Sequence, residues 1–145
     1  LTQHLFPKLL VQPARNQVLI TKPIPNLTFK GTCHFDKGYY YFRNIGNRIL
    51  FGGGRNIALN TEQTAEFGLT EQIQQNLIHH LKTVILPQYN VEIEHWWSGI
   101  LGVGQHKIPI VKQYSTNIVV AVRLAGIGVA IGSTIGELGA DLIVQ

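Results

Sequence analysis

Apolar residues recur along this 145-residue chain with two different periods, and the switches between them mark out the elements. From Glu71 to Leu86 the residues Ile73, Leu77, Leu81 and Val84 fall three or four apart, the spacing of a helix with one buried stripe. Thr70 is placed to cap that helix, Glu71 suits its positive amino end, and Pro87 stops it. Prolines at 7, 13, 23 and 25 punctuate the start and leave a short strand from Gln17 to Thr21. The aromatic run Tyr39-Tyr40-Tyr41-Phe42-Arg43 suits a strand. Period two places Tyr39, Tyr41 and Arg43 on one face, with Tyr40 and Phe42 on the other. A Gly46-Asn47 turn and the run Arg48 to Phe51 complete a hairpin, ended by Gly52-Gly53-Gly54. Val91 to Ile100 reads as another strand, and Ile118 to Val122 as a last one. Beyond it Gly126 and Gly128 open a helix that runs to about Ile143. The predicted class is α+β, a mostly antiparallel sheet with helices packed on it.

Composition adjusts this picture in a few places. With 45% hydrophobic and 14% charged residues the chain is globular rather than disordered. Its length supports one domain or part of a larger one. The sequence contains no methionine and opens at Leu1, which is read as the start of a fragment or processed product. Cys33 is the only cysteine, so no intrachain disulfide is expected, and a reducing, cytoplasmic setting fits. The apolar stretch from Ile118 to Ile143 is interrupted by Arg123, Glu137 and Asp141, short of the roughly 18–20 residues that a membrane span needs.

The net charge of +4 is uneven. Lys8, Arg15, Lys22, Lys30, Lys37, Arg43, Arg48 and Arg55 lie in the first sixty residues against Asp36 alone. They stand singly, without the clustered stripe of a nucleic-acid-binding surface, so no nucleic-acid partner is expected. Such a field is either a solvated surface or one that favours a carboxylate or phosphate ligand. His79 and His80 are adjacent and share no helix face, so no metal site is expected. Neither Ser98 nor Ser133 sits in a nucleophile elbow.

The strand–glycine–helix unit has the clearest chemistry. Glycine lets a backbone approach a ligand closely, and unpaired amides at a helix start favour negative charge. Gly132 extends the pattern to G-x-G-x-x-x-G, but the second parallel strand and following acid of a dinucleotide unit are missing. Gly128, Gly132, Gly136 and Ala140, four apart, also predict a helix lying close against a sheet.

Six pieces in order carry a resemblance. They are Pro13 to Val18, Tyr39 to Arg43, Arg48 to Gly53, Trp97-Ser98-Gly99, Pro109-Ile110-Val111, and Asn117 through Ile143. Together they resemble the carboxy-terminal half of the D-amino-acid oxidase family, in its glycine oxidase and sarcosine oxidase branch. The resemblance implies an FAD-dependent oxidoreductase acting on an amine or amino acid, with hydride transfer from a C–N bond to flavin. It implies that residues 1–112 form a substrate-binding sheet, a roof over the flavin. Residues 113–145 would then be the last strand and helix of the FAD-binding domain, and the amino-terminal Rossmann region is absent from this stretch. By position Leu124, Ala125, Gly126, Ile127, Gly128, Val129 and Ala130 match the turn that faces the flavin. Tyr39 matches a pocket tyrosine, and Tyr41, Arg43, Trp97 and Arg123 are the further candidates at the substrate. One departure stands out. Where glycine oxidase-like members carry a carboxylate-binding arginine, this sequence has Leu101, which cannot form a bidentate pair. Either Arg43 or Arg123 substitutes, or the substrate is a different amine. The alternative function is a non-enzymatic binding module that keeps the sheet without flavin. In either case the stretch alone is expected to expose apolar surface, normally covered by the missing amino-terminal region, and to self-associate.

Overall fold

The computed structural model describes residues 2–144. Its strands are β1 (Gln12–Thr21), β2 (Thr32–Phe35), β3 (Tyr40–Ile45), β4 (Arg48–Gly53), β5 (Ile93–Val103), β6 (Ile110–Ser115) and β7 (Ile118–Val122). Its α-helices are α1 (Thr2–Leu5), α2 (Glu71–His80) and α3 (Gly128–Asp141). The class is α+β, with antiparallel pairing of β2 with β3, β3 with β4, β4 with β1, and β6 with β7. Among the described residues no helix is long and apolar enough to cross a membrane.

Two compact units divide the chain, one from Arg15 to Gly99, the other joining the residues up to Ala14 with those from Ile100 onward. The first is built on a five-stranded sheet in the order β2-β3-β4-β1-β5. The hairpin predicted from the Gly46-Asn47 turn is present, with Ile45 opposite Arg48 and Gly46 at φ +58°. One face of the sheet presents Leu19, Tyr40, Ile49 and Phe51, and these pack with Ile73, Leu77 and Leu81 from the helical segment. Stacking of Phe35 on Tyr40, with ring centroids 4.7 Å apart, extends the same core.

The helical segment ends in an unexpected way. After His80 the last turn widens to an i→i+5 bond, Leu86 N–H to the Leu81 carbonyl at 2.8 Å. A wider turn advances the stripe by an extra residue. Leu86 therefore takes the buried position, and Val84, predicted to be buried, is 63% exposed. Thr70 also departs from expectation: it stands at the amino cap, but its hydroxyl makes no cap bond. That hydroxyl is taken by a buried carboxylate, described below, and charge-assisted bonds are the stronger kind.

The second unit holds α1, the β6–β7 hairpin and α3. Its core is small: Leu9, Val11 and Val120, with Phe6, Ile110, Tyr114 and Val122 packed around them. The four-residue stripe expected of α3 is not what packs. A Cβ added at Gly132 or Gly136 would meet nothing within 4 Å, and Ala140 is exposed. Gly139 lies against β7 instead, where a Cβ would touch the Ala121 side chain at 3.6 Å. The partly buried line Ile131, Ile135, Gly139, Leu142 follows ordinary helical spacing, and it is this line that the hairpin covers.

Candidate functional site

Between β7 and α3 the backbone turns sharply. Arg123 (φ +64°), Ala125 (φ +50°) and Gly126 (φ +90°) are all left-handed, which is costly for the two that carry a Cβ. Two bonds hold the turn: Ala125 N–H to the Gly102 carbonyl (3.2 Å) and Ile127 N–H to the Leu124 carbonyl (3.0 Å). The amides of Gly126, Gly128 and Val129 have no backbone partner among the described residues. They border an open cleft of about 490 Å³, lined among others by Val11, Leu101, Val122 and Leu124. At Gly126 a Cβ would meet only Leu101 Cδ1, at 3.7 Å, so the turn faces open space. Gly128 is tighter, because a Cβ there would come within 3.0 Å of Leu124 Cδ1.

Arg123 does not reach out freely. Its Nε donates to the Ile108 carbonyl at 2.8 Å. Its stem crosses Gly104 so closely that a Cβ there would lie 2.6 Å from Arg123 Cδ. The guanidinium thus ties the β5–β6 connection to the turn.

In the sheet unit, Tyr41 and Arg43 share the face opposite the α2 core, as the alternation predicts. Tyr39 does not join them. Its backbone is helical (φ −71°, ψ −22°), β3 starts one residue later, and the side chain packs against the α2 core. The helical residue breaks the period-two count that would have put it beside Tyr41. Trp97 is surface-exposed at 37%, with its ring 5.9 Å from that of His95, whereas Trp96 packs on the core.

Sequence reasoning missed a polar network at the start of β1. Glu62 has a side chain 1% exposed and accepts from Arg15 Nε (3.0 Å), Arg15 Nη2 (2.9 Å), Gln17 Nε2 (3.0 Å) and the Thr70 hydroxyl. Thr70 N–H in turn donates to Gln17 Oε1 at 2.9 Å. The network pins the long connection between β4 and α2 onto β1. Two polar residues on the face of β1 that Leu19 shares, Arg15 and Gln17, were its only trace in the sequence. Asn16 was missed as well. It projects to the other face and donates to the Tyr41 hydroxyl at 3.0 Å.

The sequence matches the FAD dependent oxidoreductase family, DAO, over residues 1–142. The chain belongs to that family, whose cofactor is FAD. No curated protein matches it in sequence. Among solved structures, glycine oxidase from Geobacillus kaustophilus is similar, with TM-score 0.74 and 22% identity, covering 94% of this chain and 36% of that one. L-proline dehydrogenase from P. horikoshii gives a TM-score of 0.73 at 20% identity, covering 92% and 36%. Iminodiacetate oxidase from Chelativorans sp. BNC1 gives 0.73 at 17% identity, again over 92% and 36%. At these identities the likeness is one of fold. The chain spans 36% of the length of each of these structures.

Proposed function

We propose that this chain is the carboxy-terminal part of an FAD-dependent oxidoreductase that oxidises a C–N bond of an amine or amino acid. The observation that carries the reading is the turn after β7, where three left-handed residues leave the Gly126, Gly128 and Val129 amides unpartnered at a cleft. Such a cradle fits the flavin: close approach is possible at Gly126, and the amino end of α3 supplies partial positive charge. When bound, the flavin supplies the two-electron acceptor. The segment Leu124 to Ala130 would hold it through backbone donors, which stabilise negative charge as it develops. The sheet face bearing Tyr41 and Arg43 would serve the substrate. Trp97 is assigned to its surroundings, Tyr39 to the packed α2 side of the sheet behind it, and Arg123 to the support of the turn. The three relatives act, by their names, on glycine, L-proline and iminodiacetate, and these are the natural probes.

The test uses the full-length protein. Purified with bound flavin, it should bleach anaerobically with at least one of glycine, L-proline or iminodiacetate, or with a simple amine. A preparation without flavin, or flavin that no amine or amino acid reduces, would return the reading to a binding module. A second measurement addresses the turn itself. Gly128→Val crowds Leu124 and displaces the amides, and loss of one well-aimed donor should slow flavin reduction about 10²-fold while lowering its potential. Gly136→Ala, where an added Cβ meets nothing within 4 Å, should leave both unchanged. Equal behaviour of the two variants would reduce the turn to a structural bend.

A further inference from the structure

The turn after β7 is fastened to the end of β5 more tightly than a simple bend requires. Among the described residues six non-glycine residues have positive φ, and three of them, Leu10, Arg123 and Ala125, meet the chain at Gly102 or Gly104. The Ala125 amide donates to the Gly102 carbonyl. A Cβ at Gly104 would lie 2.6 Å from Arg123 Cδ, 3.1 Å from the Leu10 carbonyl oxygen and 3.2 Å from Arg123 Nη1. One at Gly102 would lie 3.2 Å from Val11 Cγ1. Costly backbone angles persist only where the surroundings over-determine them, and they gather at functional sites. Here the two glycines give Leu10, Val11 and the Arg123 stem the room to close on one point.

Beyond Gly104 the chain runs over the surface, with Gln105 to Ile108 exposed, and Arg123 reaches across to it. The Nε–H of Arg123 donates to the Ile108 carbonyl at 2.8 Å, and among the described residues Arg123 forms no ion pair. That single bond, with the stem lying over Gly104, fixes where the side chain stands. The main chain of Arg123 leads directly into the unpartnered amides, with only Leu124 and Ala125 before Gly126, and both of these are bonded. A displacement at Arg123 is therefore passed to the amides rather than absorbed. Neither Gly104 nor Ile108 lines the cleft. Their influence on it runs through the Arg123 side chain.

We propose that Arg123 is a positioning residue that couples the exposed β5–β6 connection to the flavin. Through its Nε bond to Ile108 and its packing on Gly104, it holds the Gly126, Gly128 and Val129 amides at the aim that stabilises reduced flavin. The connection thus tunes the reduction potential from outside the cleft. The proposal rests on the oxidoreductase reading above and names a regulator of the same site. It assigns Arg123 by geometry and not by charge, which separates it from a cation acting directly on the flavin.

The test measures the two-electron flavin potential, and FAD binding by the apoprotein, in four variants of the full-length protein. Arg123→Met keeps the stem and loses both donor and charge. Arg123→Gln places an N–H where Nε stood and loses only the charge. Gly104→Ala keeps donor and charge but pushes the stem aside, and its φ lies outside the left-handed range, so it acts by volume. Arg123→Met and Gly104→Ala should each weaken binding of reduced flavin about tenfold relative to oxidised flavin, as expected for misaligned donors to a charged group. That is a fall of about 30 mV in potential. Arg123→Gln should stay near the wild type. The double variant Gly104→Ala/Arg123→Met should fall no further than Arg123→Met, because displacing the stem then has no bond left to break. A fall in Arg123→Gln equal to that in Arg123→Met would assign the effect to charge and overturn the proposal. So would an unchanged potential in Gly104→Ala, or additive falls in the double variant. A wild type that takes up no flavin overturns the oxidoreductase reading as well, whereas flavin-loaded variants with unmoved potentials overturn the coupling alone.

Discussion

Glu62→Ala should cost the protein about 3–5 kcal/mol, the usual consequence of removing one partner from a buried ion pair. Arg15 would keep its charge in a site where its side chain is only 12% exposed, and Gln17 and Thr70 would lose the acceptor they share. Urea denaturation of the intact protein measures this as a lower midpoint, with Glu62→Gln falling in between because it keeps an acceptor. The same carboxylate sets a pH dependence. Burial alone would raise its pKa, but hydrogen bonds from Arg15, Thr70 and Gln17, together with the charge of Arg15, hold it below the ordinary carboxylate range. A carboxyl whose folded pKa is depressed contributes its full stabilisation above the unfolded value of about 4.3, and loses it as pH falls toward the folded value. The wild type should therefore weaken progressively below about pH 4.3, and Glu62→Gln should lose this part of the acid limb. An unchanged midpoint in Glu62→Ala would show that the β4–α2 connection is held by other contacts.

Gly53→Val should be as damaging, on the order of 4–5 kcal/mol, in the extreme tail of single substitutions. Gly53 closes β4 at φ +118°, and a Cβ there would stand 1.9 Å from the Tyr39 carbonyl oxygen and 2.9 Å from Tyr40 Cα. These are backbone atoms fixed by the pairing of Gly53 with both Tyr40 and Gln17, and they cannot give way as a side chain can. The expected result is loss of soluble folded protein or a large fall in thermal midpoint. Gly52→Ala, one residue earlier, is the contrast. Its φ lies outside the left-handed range, and its worst clash is with the far end of the Tyr41 side chain. It should be tolerated far better, at the expense of the Tyr41 position. Similar losses from the two substitutions would mean that the close approach at Gly53 is not what the hairpin depends on.

What the sequence determined by itself is mostly local. The hairpin follows from Gly46-Asn47 between two runs of strand formers, and the buried stripe Ile73, Leu77, Leu81 follows from helical periodicity. The bounds of β7 were legible because a β-branched run meets a glycine turn. The order of short motifs was enough to reach the family and its flavin. Only the tertiary structure decided features that depend on residues far apart in the chain or on one backbone angle. Glu62 joins Arg15 across 47 positions, and nothing about an isolated glutamate announces its partner. Tyr39 leaves the face of Tyr41 because a single helical residue resets the alternation. Val84 surfaces because one wide turn shifts the phase of a helix. Asn16 and Tyr41 meet because β1 and β3 both pair with β4, and because Gly52 between them lacks a side chain. Periodicity reports which face a residue occupies when its neighbours are regular. Strand order and the empty space above a glycine report what it touches.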